Sequence, residues 1–255
     1  MRYCLCLLSI VFLLMNDQIC FSQTTGLWVA QKLDEREKGD DASLTMDMTL
    51  IDKRGSERQR KLFIIRKDFE GKDKLLLKFI YPMDIKGTSF LVWEHEGKDN
   101  ERFLYLPALG RIRRIATREK NENFAGTDFS YEDISGRKLE DYTYKLMKEE
   151  IIYEEKNCYL LASYPKEKNS RYPKILSCVR KDNFVVIKGE YYNKKDEIEK
   201  SYKVQKLDKI NGIWTVLEHS MENHKTAHKT LIKVKDVQYN KGVPDKRFER
   251  RALKR

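Results

Sequence analysis

The sequence predicts a mainly β protein with few helices, folded as one large, strongly curved antiparallel sheet. Two observations support this prediction. Apolar and polar residues alternate with a period of two over about a dozen segments, which is typical of strands that bury one face. Most of these segments are joined by short polar turns, and no internal repeat or low-complexity linker divides the chain into two domains.

The first 22 residues have the layout of a secretory signal peptide. Arg2 gives a positive start, residues 4–15 form an apolar run that is too short to span a bilayer, and Ser22 is suited to precede the cleavage site. Lipidation at Cys20 is the alternative, although the residues before Cys20 are not small. We therefore expect residues 23–255 to form one exported domain.

The expected elements follow in a simple order along the chain. A helix is predicted over residues 25–38, where Leu27, Trp28, Ala30 and Leu33 form one apolar stripe. Strands are predicted at residues 44–50, 57–67, 75–79, 90–93 and 103–106, and again at 142–153, 158–164, 174–180, 184–192, 198–207, 214–221 and 230–239.

The middle of the chain interrupts this pattern. Residues 107–126 show no strand-like alternation, and residues 127–133 resemble a helix start with acidic side chains in its first turn. Loops of this length inside a compact domain are usually functional or carry helices of their own. We therefore expect residues 107–137 to form a lid over the sheet.

The charges of the chain favour an anionic partner at one terminus. The net charge is +11, and Lys and Glu are evenly spread, as on a solvated surface, except in the last 15 residues, which hold seven basic and two acidic side chains. In an exported protein we expect this tail to meet anionic lipid head groups or an acidic protein, and not nucleic acid.

The candidate catalytic and metal-binding residues do not form a recognisable site. His95, His219, His224 and His228 are expected at the surface, because residues four apart in a strand lie ~13 Å apart and cannot share one metal. Neither a nucleophile elbow nor a P-loop or dinucleotide motif is present. We expect no enzymatic activity, no metal and no cofactor.

The two cysteines that follow the predicted signal peptide suggest a cross-strand disulfide. If the hairpin folds about residue 168, Leu160 faces Leu176 and Cys158 faces Cys178. Directly opposed strand residues have Cβ atoms roughly 4.5–5.5 Å apart, slightly wider than the separation a disulfide prefers. We expect Cys158 and Cys178 to form one bond.

Three segments resemble the bacterial outer-membrane lipoprotein-sorting family of LolA-like proteins: residues 84–91, 103–115 and 124–133. The opening residues 32–34 and 39–41 and the closing residues 243–248 also match, whereas residues 150–180 match in spacing more than in residues. The resemblance implies an unclosed β-barrel, as in LolA and LolB, with helices that form a lid over its concave face, located in the periplasm. It also implies that the protein binds lipids or the acyl chains of lipoproteins.

A wide apolar cavity binds long chains without directed polar contacts, since each buried CH₂ contributes ~0.8 kcal/mol. The apolar faces of the first three strands are our candidates to line such a cavity; the alternative is that they only pack against the helices. These candidates are Leu44, Met46, Met48, Leu50, Leu62, Ile64, Leu75, Leu77 and Phe79.

A cluster of arginines follows the fifth predicted strand. Arg111, Arg113 and Arg114 lie beside the apolar residues Leu109, Ile112 and Ile115 and are candidates to meet lipid phosphates or an acidic partner at the cavity mouth. The alternative is a structural ion pair with Asp128 or with the acidic residues 132 and 133, which would hold the lid in place.

Together these expectations describe a monomeric periplasmic carrier of lipids or lipoproteins. Its expected partners are an inner-membrane transporter or an outer-membrane receptor. The alternative function is a periplasmic sensory or regulatory module of the same fold that stably binds a membrane protein.

Overall fold

A computed structural model describes residues 24–168 and 170–254. The predicted signal peptide, with Cys20 and Ser22, lies outside these residues, so cleavage and lipidation stay predictions. Of the helices in the described part, none has both the length and the apolar character needed to cross a membrane. The strands are β1 Asp41–Ile51, β2 Glu57–Asp68, β3 Asp73–Tyr81, β4 Ser89–Trp93, β5 Glu101–Leu106, β6 Arg111–Ile115, β7 Tyr142–Tyr153, β8 Lys156–Pro165, β9 Lys174–Arg180, β10 Val186–Tyr192, β11 Ile198–Ile210, β12 Ile213–Asn223 and β13 His228–Tyr239.

All 13 strands form one sheet in the order β6-β5-β4-β3-β2-β1-β13-β12-β11-β10-β9-β8-β7. Every pair of neighbours is antiparallel. The first and last strands therefore meet in the centre of the sheet, and β6 and β7 are its two edges. Because β6 and β7 do not pair, the sheet is an unclosed barrel, which confirms the predicted fold class.

Helix α1 (Gly26–Asp34) covers the concave face of the sheet near the β7 edge. The Thr25 hydroxyl accepts a hydrogen bond from the backbone N–H of Trp28 at 3.1 Å and so caps the helix. Buried Val29 and Ala30 pack with side chains of β8 and β9. The helix ends four residues earlier than predicted, because residues 35–38 add no apolar side chain to its buried face.

The segment between β6 and β7, residues 116–141, forms the lid. It is only partly helical: α2 (Tyr131–Ser135) is preceded and followed by short 3₁₀ turns. The Ser130 hydroxyl accepts from the backbone N–H of Asp133, and the Asp133 carboxylate accepts from the backbone N–H of Ser130, as the acidic helix start predicted. The predicted lid began too early, because residues 111–115 form the edge strand β6.

The basic C-terminal segment is packed on the convex face and is not a free tail. Two 3₁₀ turns, Asp245–Phe248 and Arg250–Lys254, bury Phe248 and Leu253 against β3, β4 and β5. The Trp93 indole N–H donates to the carbonyl oxygen of Phe248 at 2.7 Å. The apolar residues within the basic run explain this packing, so its expected role as a free lipid-binding tail loses its main argument.

The predicted disulfide is wrong. Strands β8 and β9 pair with Leu160 opposite Cys178 and Cys158 opposite Arg180, two residues out of the predicted register. Both cysteines are buried on the same face and free. Burial raises the pKa of Cys158 to about 11, so its thiol stays protonated. Eight residues, 166–173, connect the two strands, and this connection sets their register.

Candidate functional site

The concave face of β1–β5 forms a continuous surface of aliphatic and aromatic side chains, which we call the apolar wall. The strand register places all nine predicted cavity residues on this face, with Ile64, for example, opposite both Leu44 and Leu77. Some of them are completely buried: Met48, Leu50, Leu62, Leu77 and Phe79. The others are half-buried: Leu44, Met46, Ile64 and Leu75. Binding of an acyl chain by these residues stays a prediction.

Aromatic side chains of the lid lie directly on the apolar wall. The ring of Phe124 stacks on Phe79 at 5.8 Å between centroids and contacts Phe90 at 5.2 Å. Tyr131 of α2 contacts Phe90 at 5.4 Å. The lid therefore occupies, with its own side chains, the surface that the sequence analysis assigned to a ligand.

The concave face of β9–β12 has a different chemistry, and we call it the polar wall. It carries Tyr191, Lys200, Tyr202 and His219, together with Tyr172 from the loop before β9. Burial raises the pKa of the three tyrosines, so their hydroxyls stay protonated and neutral. The polar wall thus presents hydroxyl, imidazole and ammonium groups, whereas the apolar wall presents mainly hydrocarbon and aromatic rings, with the guanidinium groups of Arg60 and Arg102 bound to the lid.

His219 is part of this interior, so its predicted surface position is wrong. Its ring lies edge-on to Phe129 of the lid at 5.7 Å and near Tyr202 at 5.6 Å. Burial lowers the pKa of His219 to about 4, so the ring is neutral at physiological pH. Its Nδ1 atom and the hydroxyl of Tyr172 are buried and have no hydrogen-bond partner within the described chain.

A network of polar contacts joins the lid to the polar wall and to β13. Asp128 of the lid is buried, and its Oδ2 atom lies 2.6 Å from Nδ1 of His228 and accepts a hydrogen bond from the Thr230 hydroxyl at 2.7 Å. The Lys200 ammonium donates to the carbonyl oxygen of Asp128 at 2.6 Å and to Oδ1 of Asn123 at 3.1 Å. These are charge-assisted bonds in a buried setting, and they fix the position of the lid.

A second point of attachment lies at the end of α2. Arg137 forms an ion pair with Asp133, and it donates to the hydroxyl of Tyr191 on β10 at 2.8 Å. On the opposite side of the lid, the Arg102 guanidinium of β5 donates to the Ser135 hydroxyl at 3.1 Å. The lid is therefore held from both halves of the sheet.

Sequence reasoning missed this network. Lysine is rarely fully buried, so the even spread of lysines predicts a solvated surface, whereas the Lys200 side chain is completely buried. A signal was present, because Lys200 alternates in register with Tyr202 and Val204, the inward residues of β11. His228 is likewise only partly exposed, and its Nδ1 atom contacts the Asp128 carboxylate of the lid.

The predicted arginine cluster does not hold the lid through the acids named for it. Arg113 pairs with Glu119 at 2.9 Å and Arg114 with Glu101 at 3.2 Å, whereas the predicted partners Asp128 and residues 132–133 bind other groups. Strand alternation places Arg111 and Arg113 on the concave face of β6 and Arg114 on the convex face. A role for these side chains with lipid head groups stays a prediction.

Metal binding finds no support in the geometry. Across residues 24–168 and 170–254, no group of three or more His, Cys, Asp or Glu side chains is placed to hold a metal ion.

The same architecture occurs in solved structures of other proteins. A family model described only as an uncharacterized protein matches residues 71–255, and no curated protein matches the chain significantly. A solved domain from Vibrio parahaemolyticus, named for outer membrane lipoprotein sorting, is 30% identical with a TM-score of 0.85, over 90% of this chain and 98% of that one.

Two further solved structures are similar to this chain. A DUF1329 family protein from Desulfovibrio piger is 31% identical with a TM-score of 0.84, over 89% of this chain and 97% of that one. A LolA superfamily protein from Nitrosomonas europaea shares the fold at 18% identity and a TM-score of 0.71, over 90% and 99% of the two chains. The chain therefore belongs to the DUF1329 family, which shares its fold with the LolA-like outer membrane lipoprotein-sorting proteins.

Proposed function

We propose that this protein is a periplasmic carrier that binds the acyl chains of a lipid or lipoprotein against the apolar wall. The observation that carries the proposal is the occupancy of this wall by Phe124 and Tyr131, which belong to a separate segment and not to the sheet. A segment that leaves the wall would expose a continuous apolar surface, which a chain of CH₂ groups can cover at ~0.8 kcal/mol each.

The relatives support the proposal by their names, which refer to lipoprotein sorting and to the LolA superfamily. In such a carrier the lid would move away as the acyl chain enters and return when a receptor takes the cargo. We propose an inner-membrane transporter as the donor and an outer-membrane receptor as the acceptor, since a carrier must exchange its cargo with a protein at each membrane.

The experiment measures binding of a fluorescent fatty acid, cis-parinaric acid, to the parent chain and to Phe124→Ala. Removing the Phe124 ring vacates part of the wall, so we expect the variant to bind the probe several-fold more tightly. The matched control is Phe248→Ala, which removes an equally buried ring on the convex face and should bind the probe as the parent does.

Absence of probe binding to both the parent and Phe124→Ala, with both chains folded, would contradict the proposal. An equal gain in Phe124→Ala and Phe248→Ala would also contradict it, because the probe would then report loosened packing. Native mass spectrometry of protein taken gently from its own cells should in addition show a bound lipid.

A further inference from the structure

A second cavity, distinct from the concave face, opens where the β10–β11 and β12–β13 turns lie side by side. Its volume is about 660 Å³, which is in the range of pockets that hold whole small molecules and exceeds what a single ion needs. We call it the turn pocket. Its ionisable lining residues are Arg171, Lys194, Lys195, Glu197, Glu199, His224 and Lys225.

The acidic side chains of the turn pocket are already engaged. Glu199 accepts hydrogen bonds from Arg171, at 3.0 Å from Nε and 2.5 Å from Nη2. Glu197 accepts from the side-chain amide of Asn193 at 3.0 Å. The Arg171 guanidinium offsets the charge of Glu199, and the three lysines outnumber the one remaining carboxylate, Glu197, so the pocket keeps a net positive charge.

The lysines of the turn pocket lack such partners. Within the described chain no carboxylate lies within 4 Å of the ammonium groups of Lys194, Lys195 or Lys225. The turns that carry these lysines have a defined backbone conformation. Oδ1 of Asn193 accepts a hydrogen bond from the backbone N–H of Lys195 at 2.8 Å, and Oδ1 of Asn223 accepts one from the backbone N–H of Lys225 at 3.1 Å. The backbone from which the three ammonium groups extend is thus fixed.

The other connections at this end of the sheet also favour binding of an anion. The connections at the end that holds the turn pocket contain nine basic and five acidic residues, in ranges 52–56, 82–88, 107–110, 166–173, 193–197 and 224–227. The connections at the other end contain six basic and nine acidic residues, in ranges 36–40, 69–72, 94–100, 154–155, 181–185, 211–212 and 240–244. An anion would therefore be drawn to the end that holds the pocket.

We propose that the turn pocket binds a phosphate-bearing anion, with Lys194, Lys195 and Lys225 as its charge partners. Ammonium groups bind phosphate oxygens as point charges, and several of them around one cavity suit a doubly charged group. The cavity volume leaves room for the glycerol or sugar that carries the phosphate. The phosphate belongs either to a soluble metabolite or to a lipid headgroup in a membrane, and this site does not depend on an acyl chain at the apolar wall.

The test measures binding of glycerol 3-phosphate by calorimetry, and binding to vesicles of phosphatidylcholine with and without phosphatidylglycerol. We expect the double variant Lys194→Glu/Lys195→Glu to lower the affinity for the phosphate ligand at least about tenfold, since two attractive charges become repulsive. The matched control, Lys53→Glu/Arg54→Glu, makes the same charge change on the β1–β2 turn at the same end and should lower it less than threefold.

Binding of glycerol 3-phosphate in solution would support the site with a soluble source of phosphate, and binding only to phosphatidylglycerol vesicles would support it with a lipid source. An equal loss in the two double variants would overturn the proposal in favour of a general attraction to positive charge. Failure of the parent chain to bind either form would also overturn it. Cis-parinaric acid binding should be the same in parent and Lys194→Glu/Lys195→Glu, which separates this test from that of the carrier function.

Discussion

The apolar wall and the polar wall face the same lid but hold it by different forces. On the apolar wall, Phe124 rests on Phe79 through contacts that have no preferred partner. On the polar side, Asp128 and Lys200 hold the lid through buried bonds of defined geometry. An apolar ligand can replace the aromatic contacts of Phe124, but it cannot replace the hydrogen bonds of Asp128 and Lys200. We therefore expect the polar contacts, including that of Arg102 on β5, to set where the lid sits and the apolar contacts to set what can replace it.

The largest effect is expected from removing a ring of the apolar wall. Phe79→Ala deletes a completely buried side chain that contacts the lid, and the cavity it leaves should lower the free energy of unfolding by about 3–5 kcal/mol. Urea denaturation measures this change. The neighbouring control Ile80→Ala, at a residue that is 41% exposed, should cost far less, and a similar loss in both variants would contradict the packing described for this wall.

A smaller effect is expected from the polar side. Asp128→Ala leaves His228 and Thr230 without their buried acceptor, which should lower the free energy of unfolding by about 2–3 kcal/mol. Amide hydrogen exchange should also speed up across residues 124–135, because the lid loses its attachment. In the exposed control Asp84→Ala both quantities should stay near those of the parent; unchanged exchange in Asp128→Ala would show that the lid does not depend on these bonds.

The smallest effect depends on pH. The pKa of His219 is about 4 in the folded chain, below its ordinary value of about 6.5, so the unfolded chain takes up a proton more readily between these two values. Stability is therefore complete above about pH 6.5 and falls towards pH 4, by about 2 kcal/mol at pH 5.

His219→Phe keeps a ring against Phe129 and Tyr202 and removes the proton. The difference in unfolding free energy between pH 7.5 and pH 5 should thus shrink by about 2 kcal/mol in this variant. The same difference in parent and variant would mean that the His219 ring is hydrated and not part of a dry interior.

The two walls were also unequally predictable from sequence. Alternation marks a strand that buries one face, so the apolar wall and strands such as Lys174–Arg180 followed directly from the residue pattern. Alternation places Lys200 on the inner face of its strand but does not show that Lys200 and His219 are buried, because the partners that cover them come from the lid about 70–90 residues away in the chain. The residue pattern of a strand shows which of its faces is apolar, but it does not show which distant segment will cover polar side chains on that strand.

Two other misses have equally specific causes. Strand β6 (Arg111–Ile115) is an edge strand whose arginines face solvent on both sides, so it lacks the alternation that marks a half-buried strand. The register of β8 and β9 depends on the shape of an eight-residue loop, residues 166–173. If the predicted centre of the loop is displaced by one position, each residue of β8 pairs with a residue of β9 two positions away from the predicted partner.

The pairing of β1 with β13 in the centre of the sheet has a consequence for how the chain folds. Met48 and Ile232 are partners although they lie 184 positions apart in the chain, so the two halves of the sheet can join only after the last strand is available. Contacts so distant in sequence close slowly, in milliseconds to seconds for domains dominated by them. Until then β1 presents an unpaired edge, the feature through which strands of separate molecules pair. Pairing with other molecules is therefore most favoured in the interval before β13 is available to pair with β1.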